Sequence, residues 1–356
     1  MQEVRVIGVE TANPILKWTQ KEVLESVHQN EQISKKAKTF YKRFLSDQGI
    51  RTRHFGMNTL EHVNTESPDE ANQRFADIAT EIGSAAIKKC LERYEVPVHE
   101  IDALIVTTCT GYLCPGLTSY LAQELGFKDS IEAIDLAGLG CGAAIPALRS
   151  AYQYLQTHPD SHVLVVCVEV CSAALSWGDE IDLILSNALF ADGAAACLLT
   201  NKPGREGHKI IRFESLLWPE YRDELRFKLR DSRLCNVIDR SVPGIAAQAV
   251  KFLDEKIRTG LSEAPQHYGV HPGGRRILDA IEESLNFDGQ DLQRSRDVLV
   301  EYGNMSSPSI LYVLKEISEK DRPKENENIA LFAFGAGFSA FAVLLESDGS
   351  LSGGLK

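Results

Sequence analysis

The 356-residue sequence has no CxxC pair and no histidines at zinc-finger spacing, although it contains eight cysteines. Neither a disulfide framework nor a structural metal is therefore expected, and most of these thiols should pack as small buried hydrophobes. No apolar span approaches the ~20 residues that cross a bilayer. The opening segment MQEVRVIGVETANP also lacks the basic stretch and apolar run of an export signal, so a cytoplasmic location without membrane insertion is expected. Positive charge is in short supply, with 38 Lys and Arg against 50 Asp and Glu and a net charge of -12. General nucleic-acid binding and attachment to anionic membranes are excluded on that ground, because both need a basic field. An anionic substrate would need a local basic mouth. Linker and low-complexity sequence are missing too.

What is present is a globular composition, 44% hydrophobic and 25% charged, on a chain long enough for two structural halves. Short runs rich in Val, Ile, Leu and Ala alternate with helical patterns, the mark of an α/β protein. The runs predict strands at Ile101–Thr107, Glu132–Leu136, His162–Val168, Ala194–Thr200, Gln266–Val270, Val298–Tyr302 and Ala330–Phe334. The helical patterns lie at Pro68–Arg93, Leu117–Leu125, Ala144–Gln156, Gly244–Arg258, Arg275–Leu285 and Pro308–Glu319. Two similarities point to a duplication. Residues 188–193, ALFADG, resemble residues 330–335, ALFAFG, and a Gly-rich turn at Gly140–Ala144 has a counterpart at Gly303–Pro308. The boundary should fall in the polar segment Asn201–Lys209, giving halves 1–205 and 206–356.

The matching turns carry reactive side chains at strand-to-helix junctions, where open α/β sheets place their chemistry. Cys141 sits in GCGAA, where glycines allow a tight turn and a helix starts beneath the sulfur. A thiol at a helix N-terminus beside an imidazolium is biased toward thiolate. Its alternative is a buried cysteine among alanines. His271 ends an apolar strand in VHPGG and could aim a ring nitrogen into a cleft, or could serve as a core or capping residue. His28, His54, His62 and His158 sit in polar segments and read as solvated. Asn304 in YGNMSSP could present its amide to a developing oxyanion, or act as a helix N-cap.

In this order, GCGAA, VHPGG and YGNMSS resemble the Cys–His–Asn signature of chalcone-synthase-like type III polyketide synthases, specifically a bacterial member. Residues 190–196, FADGAAA, are similar to the family's FGDGAAA strand entry, with Ala191 in place of glycine. The resemblance runs from about Val4 to Leu345. It implies the thiolase fold, α/β with two related halves in a layered αβαβα arrangement. It also implies that Cys141 carries the acyl chain as a thioester, and that His271 and Asn304 hold the malonyl-CoA carbonyl while an enolate forms.

Further residues enter through the same resemblance. Phe190 stands at the junction of the CoA tunnel and the reaction cavity, and Cys109, Thr110, Asn236, Ser306 and Ala336 line that cavity. Cys114 reaches the neighbouring subunit of a homodimer. Arg43, Arg51, Arg53 and Arg276 meet the phosphates of CoA, with Asp47 where a lysine is expected. Asn236 replaces a gatekeeper phenylalanine, Cys114 a methionine and Ala336 a proline; together these suggest room for a fatty acyl starter. The implied substrates are an acyl-CoA starter and malonyl-CoA, without metal or redox cofactor. The implied reaction is iterative decarboxylative condensation ending in a pyrone or resorcinol-type product. The alternatives are a single-step β-ketoacyl synthase of the same fold, or a noncatalytic acyl-CoA-binding protein of that fold.

Overall fold

A computed structural model describes residues 2–349 apart from 48, 61, 62, 64, 231 and 232. The first half runs β1 (Arg5–Ala12), β2 (Lys17–Thr19), α1 (Gln20–Gln29), α2 (Lys35–Asp47), β3 (Thr52–His54), α3 (Pro68–Arg93) and β4 (Ile101–Thr107). It continues through α4 (Leu117–Leu125), β5 (Glu132–Leu136), α5 (Ala144–Thr157), β6 (His162–Val170), α6 (Ile181–Leu189) and β7 (Asp192–Thr200). The second half runs β8 (His208–Leu217), β9 (Leu225–Arg230), β10 (Arg233–Ile238), α7 (Val242–Ile257), β11 (His267–Val270) and α8 (Arg275–Leu285). It ends with α9 (Gln293–Tyr302), α10 (Ser309–Glu316), β12 (Asn328–Gly335) and β13 (Ser339–Ser347).

Nine strands form one sheet in the order β11-β12-β13-β8-β1-β7-β6-β4-β5. β6 is buried along its whole length, and so is β7, which is why both read as continuous apolar runs rather than alternating ones. Helices cover each face. One core packs α3 and α4 on β4, β6 and β7, and another packs α7 and α8 on β11, β12 and β13. The third gathers α5 and α10 between strands of both halves, which yields five alternating layers. Local signals agree with this packing: α3 opens on a Ser67–Glu70 capping box with Pro68 in its first turn.

The halves share a topology. Outward from the seam the first half runs β1-β7-β6-β4 and the second β8-β13-β12-β11, with the same sense at each pairing. The seam itself is only Arg5 opposite Lys209 and Val6 opposite His208. This equivalence sorts the two sequence repeats. The turns carrying Cys141 and Asn304 precede α5 and α10, which correspond. Residues 188–193, however, straddle the end of α6 and the start of β7, whose counterpart is β13, while 330–335 lie wholly in β12. That second similarity is therefore not part of the duplication.

One predicted element has the wrong type. Val298–Tyr302 belongs to helix α9, not to a strand. Its run of Val, Leu and Val suits either state, and burial of Ser295, Val298 and Leu299 shows that helical spacing prevailed. Arg294 and Arg296 fix the helix through ion pairs to Asp297, Asp321, Asp279 and Glu282. Among the described residues no helix is long and apolar enough to cross a membrane, and no cluster of three His, Cys, Asp or Glu could hold a metal.

Candidate active site

Cys141, His271 and Asn304 line one cavity of about 560 Å³, together with Phe190, Arg43 and Arg276. Cys141 occupies the tight turn Gly140–Gly142 that leads into α5. The end of β12 presses on this turn from the other half. A Cβ built at Gly335 would lie 2.4 Å from the Leu139 carbonyl oxygen and 2.6 Å from the Gly142 nitrogen, both backbone atoms. Only glycine fits there. The Ser306 hydroxyl donates to Cys141 Sγ at 3.2 Å.

His271 ends β11, its backbone amide donating to the Phe332 carbonyl at 2.8 Å and its ring meeting Phe334 edge-on at 5.4 Å. Its Nδ1 is buried without a partner among the described residues, so Nε2 is the nitrogen available to the cavity. Burial drives the imidazole down to about 3. Burial also pushes the Cys141 thiol up to about 12, against the opposing pull of the Ser306 hydrogen bond. Each group alone is thus neutral at pH 7, contrary to the imidazolium expected from the sequence.

The Asn304 amide is held at both ends. Its Oδ1 accepts from the Ser306 backbone amide at 2.8 Å and its Nδ2 donates to the Gly273 carbonyl at 3.2 Å. One Nδ2 hydrogen remains for a ligand. The backbone of Asn304 bridges to the end of α6, its amide donating to Leu189 and its carbonyl accepting from Ala191. Asn304 is not a side-chain N-cap: Pro308 occupies that position of α10.

Behind Phe190 lies a recess of about 10 Å³ whose lining includes Cys171, Ser172, Ser186, Asn187 and Asn236. Cys109 and Thr110 both donate to the fully buried Glu169 carboxylate, at 3.3 and 2.9 Å, and Cys109 Sγ also meets the Ser306 hydroxyl at 3.4 Å. Ser307 and Thr108 add two more side-chain bonds to it, at 2.6 and 3.3 Å, and burial raises its pKa all the same. Glu169 escaped the sequence reading. The signal was a lone carboxylate within the apolar strand HVLVVCVEV, which a buried strand tolerates only with partners. Cys114 is exposed and Ala336 half-buried against the Gly140 turn.

The four arginines divide. Arg43 and Arg276 line the cavity, joined by Arg240. Arg51 is exposed and paired with Glu301, outside that lining. Arg53 is wholly buried, its guanidinium on Gln20 and on the carbonyls of Asn187 and Phe190. A phosphate cannot reach it, so its expected role in CoA binding is corrected. His28 and His158 are exposed as expected, whereas His54 is half-buried on the Pro14 carbonyl. His62 and the side chain of Asp47 lie outside the described residues.

Comparisons with known proteins identify the family. Residues 10–217 match the family described as FAE1/Type III polyketide synthase-like protein, and residues 213–348 match the chalcone and stilbene synthases, C-terminal domain. The 1,3,6,8-tetrahydroxynaphthalene synthase of Streptomyces coelicolor is 31% identical over 84% of this chain and 80% of its own. The 3,5-dihydroxyphenylacetyl-CoA synthase of Streptomyces toyocaensis is 29% identical over 96% of this chain and 90% of its own. The crystal structure of the S. coelicolor enzyme superimposes with a TM-score of 0.89 at 28% identity, covering 98% of this chain and 99% of that one. With two family matches that together span residues 10–348 and a fold shared along nearly its full length, the chain belongs to the type III polyketide synthases, acyl-transferring enzymes of the thiolase fold that condense acyl units with decarboxylation.

Proposed function

We propose that this chain extends a short acyl starter, bound as a thioester on Cys141, by repeated decarboxylative condensation with malonyl-CoA. The observation that carries the reading is the convergence of Cys141, His271 and Asn304 on one cavity that Arg43, Arg240 and Arg276 also line. The arginines suit the phosphates of CoA. In the loading step the Cys141 proton passes to His271 Nε2, the thiolate attacks the starter carbonyl, and CoA departs as a thiolate that takes its proton from solvent, so Nε2 keeps its hydrogen for the extension steps. In each extension the bond to the malonyl carboxylate breaks and CO₂ leaves. The electron pair moves onto the thioester oxygen, where His271 Nε2–H and the free Asn304 Nδ2 hydrogen answer it. The enolate carbon then attacks the Cys141 thioester and releases the sulfur. No step calls for a metal or redox cofactor, and a cytoplasmic supply of CoA thioesters suffices.

A short starter is favoured over the fatty chain expected from Asn236, Cys114 and Ala336. Support comes from the recess beyond Phe190, whose 10 Å³ is on the order of one water molecule and whose walls carry Ser172, Ser186, Asn187 and Asn236. Relatives whose products are a tetrahydroxynaphthalene and a dihydroxyphenylacetyl-CoA point the same way, toward ring closure of a short oxygen-rich chain. The test is a panel of acetyl- to palmitoyl-CoA, with malonyl-CoA alone as one arm, and masses of all products. Acetyl or malonyl priming with several extensions is expected, with kcat/KM falling beyond about six carbons. A rise of roughly tenfold or more per added pair of carbons, as each buried CH₂ adds ~0.8 kcal/mol, supports the fatty starter instead. A single β-ketoacyl product identifies a one-step synthase.

The same reading includes a homodimer. β5 is the outermost strand of the sheet, with Glu132, Ala133 and Asp135 exposed, and Tyr112 beside Cys114 is 77% exposed. An unpaired edge of this kind calls for cover. Light scattering should give twice the chain mass at micromolar concentration; a stable monomer rejects the dimer.

A further inference from the structure

Helix α6 ends at Leu189, and the carbonyls that its last turn leaves without helical partners all find donors from outside the helix. Arg53 Nη1 donates to Asn187 at 2.7 Å and to Phe190 at 2.8 Å. Gln20 Nε2 donates to Ala188 at 3.2 Å, and the Asn304 amide to Leu189 at 3.0 Å. Gln20 also holds Arg53, accepting from Nε at 2.9 Å. The guanidinium lies over the Phe55 ring at 4.9 Å.

The Arg53 stem touches the other side of the site. A Cβ built at Gly303 would lie 2.9 Å from Arg53 Cγ and 3.0 Å from its Cδ, and Gly303 holds φ +71 next to Asn304. One buried side chain therefore packs against the turn that presents the amide and bonds the carbonyl of the residue that separates cavity from recess. A cation at the C-terminal end of a helix also suits the helix dipole. An arginine is costly to bury, and a structural plug for this spot would be better made from apolar residues. Its planar fork instead fixes direction.

We propose that Arg53 is a positioning residue for decarboxylation, setting the Asn304 amide and Phe190 in register through the end of α6 and the Gly303 turn. It touches no substrate. Displacing a reacting group by about 1 Å can cost on the order of 100-fold, so loosening this clamp should appear in kcat. The inference rests on the Cys–His–Asn reading above.

The experiment measures CO₂ release from malonyl-CoA alongside alkylation of Cys141 by iodoacetamide, in Arg53→Met, Arg53→Lys, Gln20→Met and Asn304→Ala. For Arg53→Met a fall in kcat of roughly tenfold or more is expected, with KM and the alkylation rate each within about threefold of the parent. Arg53→Lys should recover part of that loss, since one donor remains. Unchanged kcat in a folded Arg53→Met protein overturns the clamp, and so does an equal loss in kcat and alkylation, which is general disruption. Should Arg53→Met not fold, Gln20→Met decides: it leaves the charge in place and removes one anchor, so a severalfold loss in kcat alone supports the clamp and no loss rejects it. If Asn304→Ala itself decarboxylates normally, the reading of the site falls and takes the clamp with it. If Asn304→Ala fails while Arg53→Met is normal, only the clamp falls.

Discussion

Cys141→Ala is expected to abolish polyketide formation while leaving malonyl-CoA decarboxylation measurable. Among the described residues that line the cavity Cys141 is the one thiol; Cys109, which meets the Ser306 hydroxyl, bonds to Glu169 and is held well above the ordinary thiol range by burial. Loss of a nucleophile in a unit of cooperating residues costs roughly four or more powers of ten, which puts extension below detection. His271 and Asn304 do not depend on the sulfur for their positions. The former hangs on β11 and the latter on Gly273, Ser306 and Leu189. Enolate stabilisation therefore survives. Labelled malonyl-CoA gives CO₂ release and product in one assay, and mass spectrometry of the parent enzyme after acyl-CoA treatment should place the adduct on Cys141. An adduct elsewhere, or product from the variant, removes Cys141 as the acyl carrier.

Asn304→Ala and His271→Ala should each slow decarboxylation by about 100- to 1000-fold, the usual cost of one directed donor to an oxyanion. They should differ in a second reaction. Without His271 the thiol has no proton acceptor, and burial holds it up at about 12 against the Ser306 hydrogen bond, so its thiolate fraction falls tenfold for every pH unit below that value. Alkylation of His271→Ala should accordingly climb with pH into the strongly alkaline range, at least tenfold slower than the parent at pH 7. Asn304→Ala should alkylate at the parent rate. Equal rates at pH 7 for His271→Ala and the parent remove the imidazole as proton acceptor.

The sequence was most informative where short motifs carry backbone demands. Gly140 and Gly303 hold positive φ at the turns that carry Cys141 and Asn304. Strands such as Ile101–Thr107 and helices such as Pro68–Arg93 were readable to the residue, because a fully buried run and a capping box are local signals. Legibility failed where the deciding partner is distant in sequence. Arg51 and Arg53 look alike on paper, yet one meets solvent and Glu301 while the other meets carbonyls more than 130 residues away. Helix α9 misled for a related reason: its β-branched run is settled by what covers Val298 and Leu299, not by propensity. The charge states of Cys141 and His271 were also out of reach, since helix position is visible in a sequence and the depth of burial is not.

The contact at Gly335 bears on ancestry and recombination. β12 comes from the second half and the Cys141 turn from the first, yet they meet with no space for a methyl group between backbones. Neither the Cys141 turn nor the end of β12 can change its backbone path alone without spoiling this fit. A chimera joined in the 201–209 segment inherits the nucleophile from one parent and the surface pressing on it from the other. The parent that supplies the second half must then bring glycine at 335, on a strand path that fits the other parent's Cys141 turn.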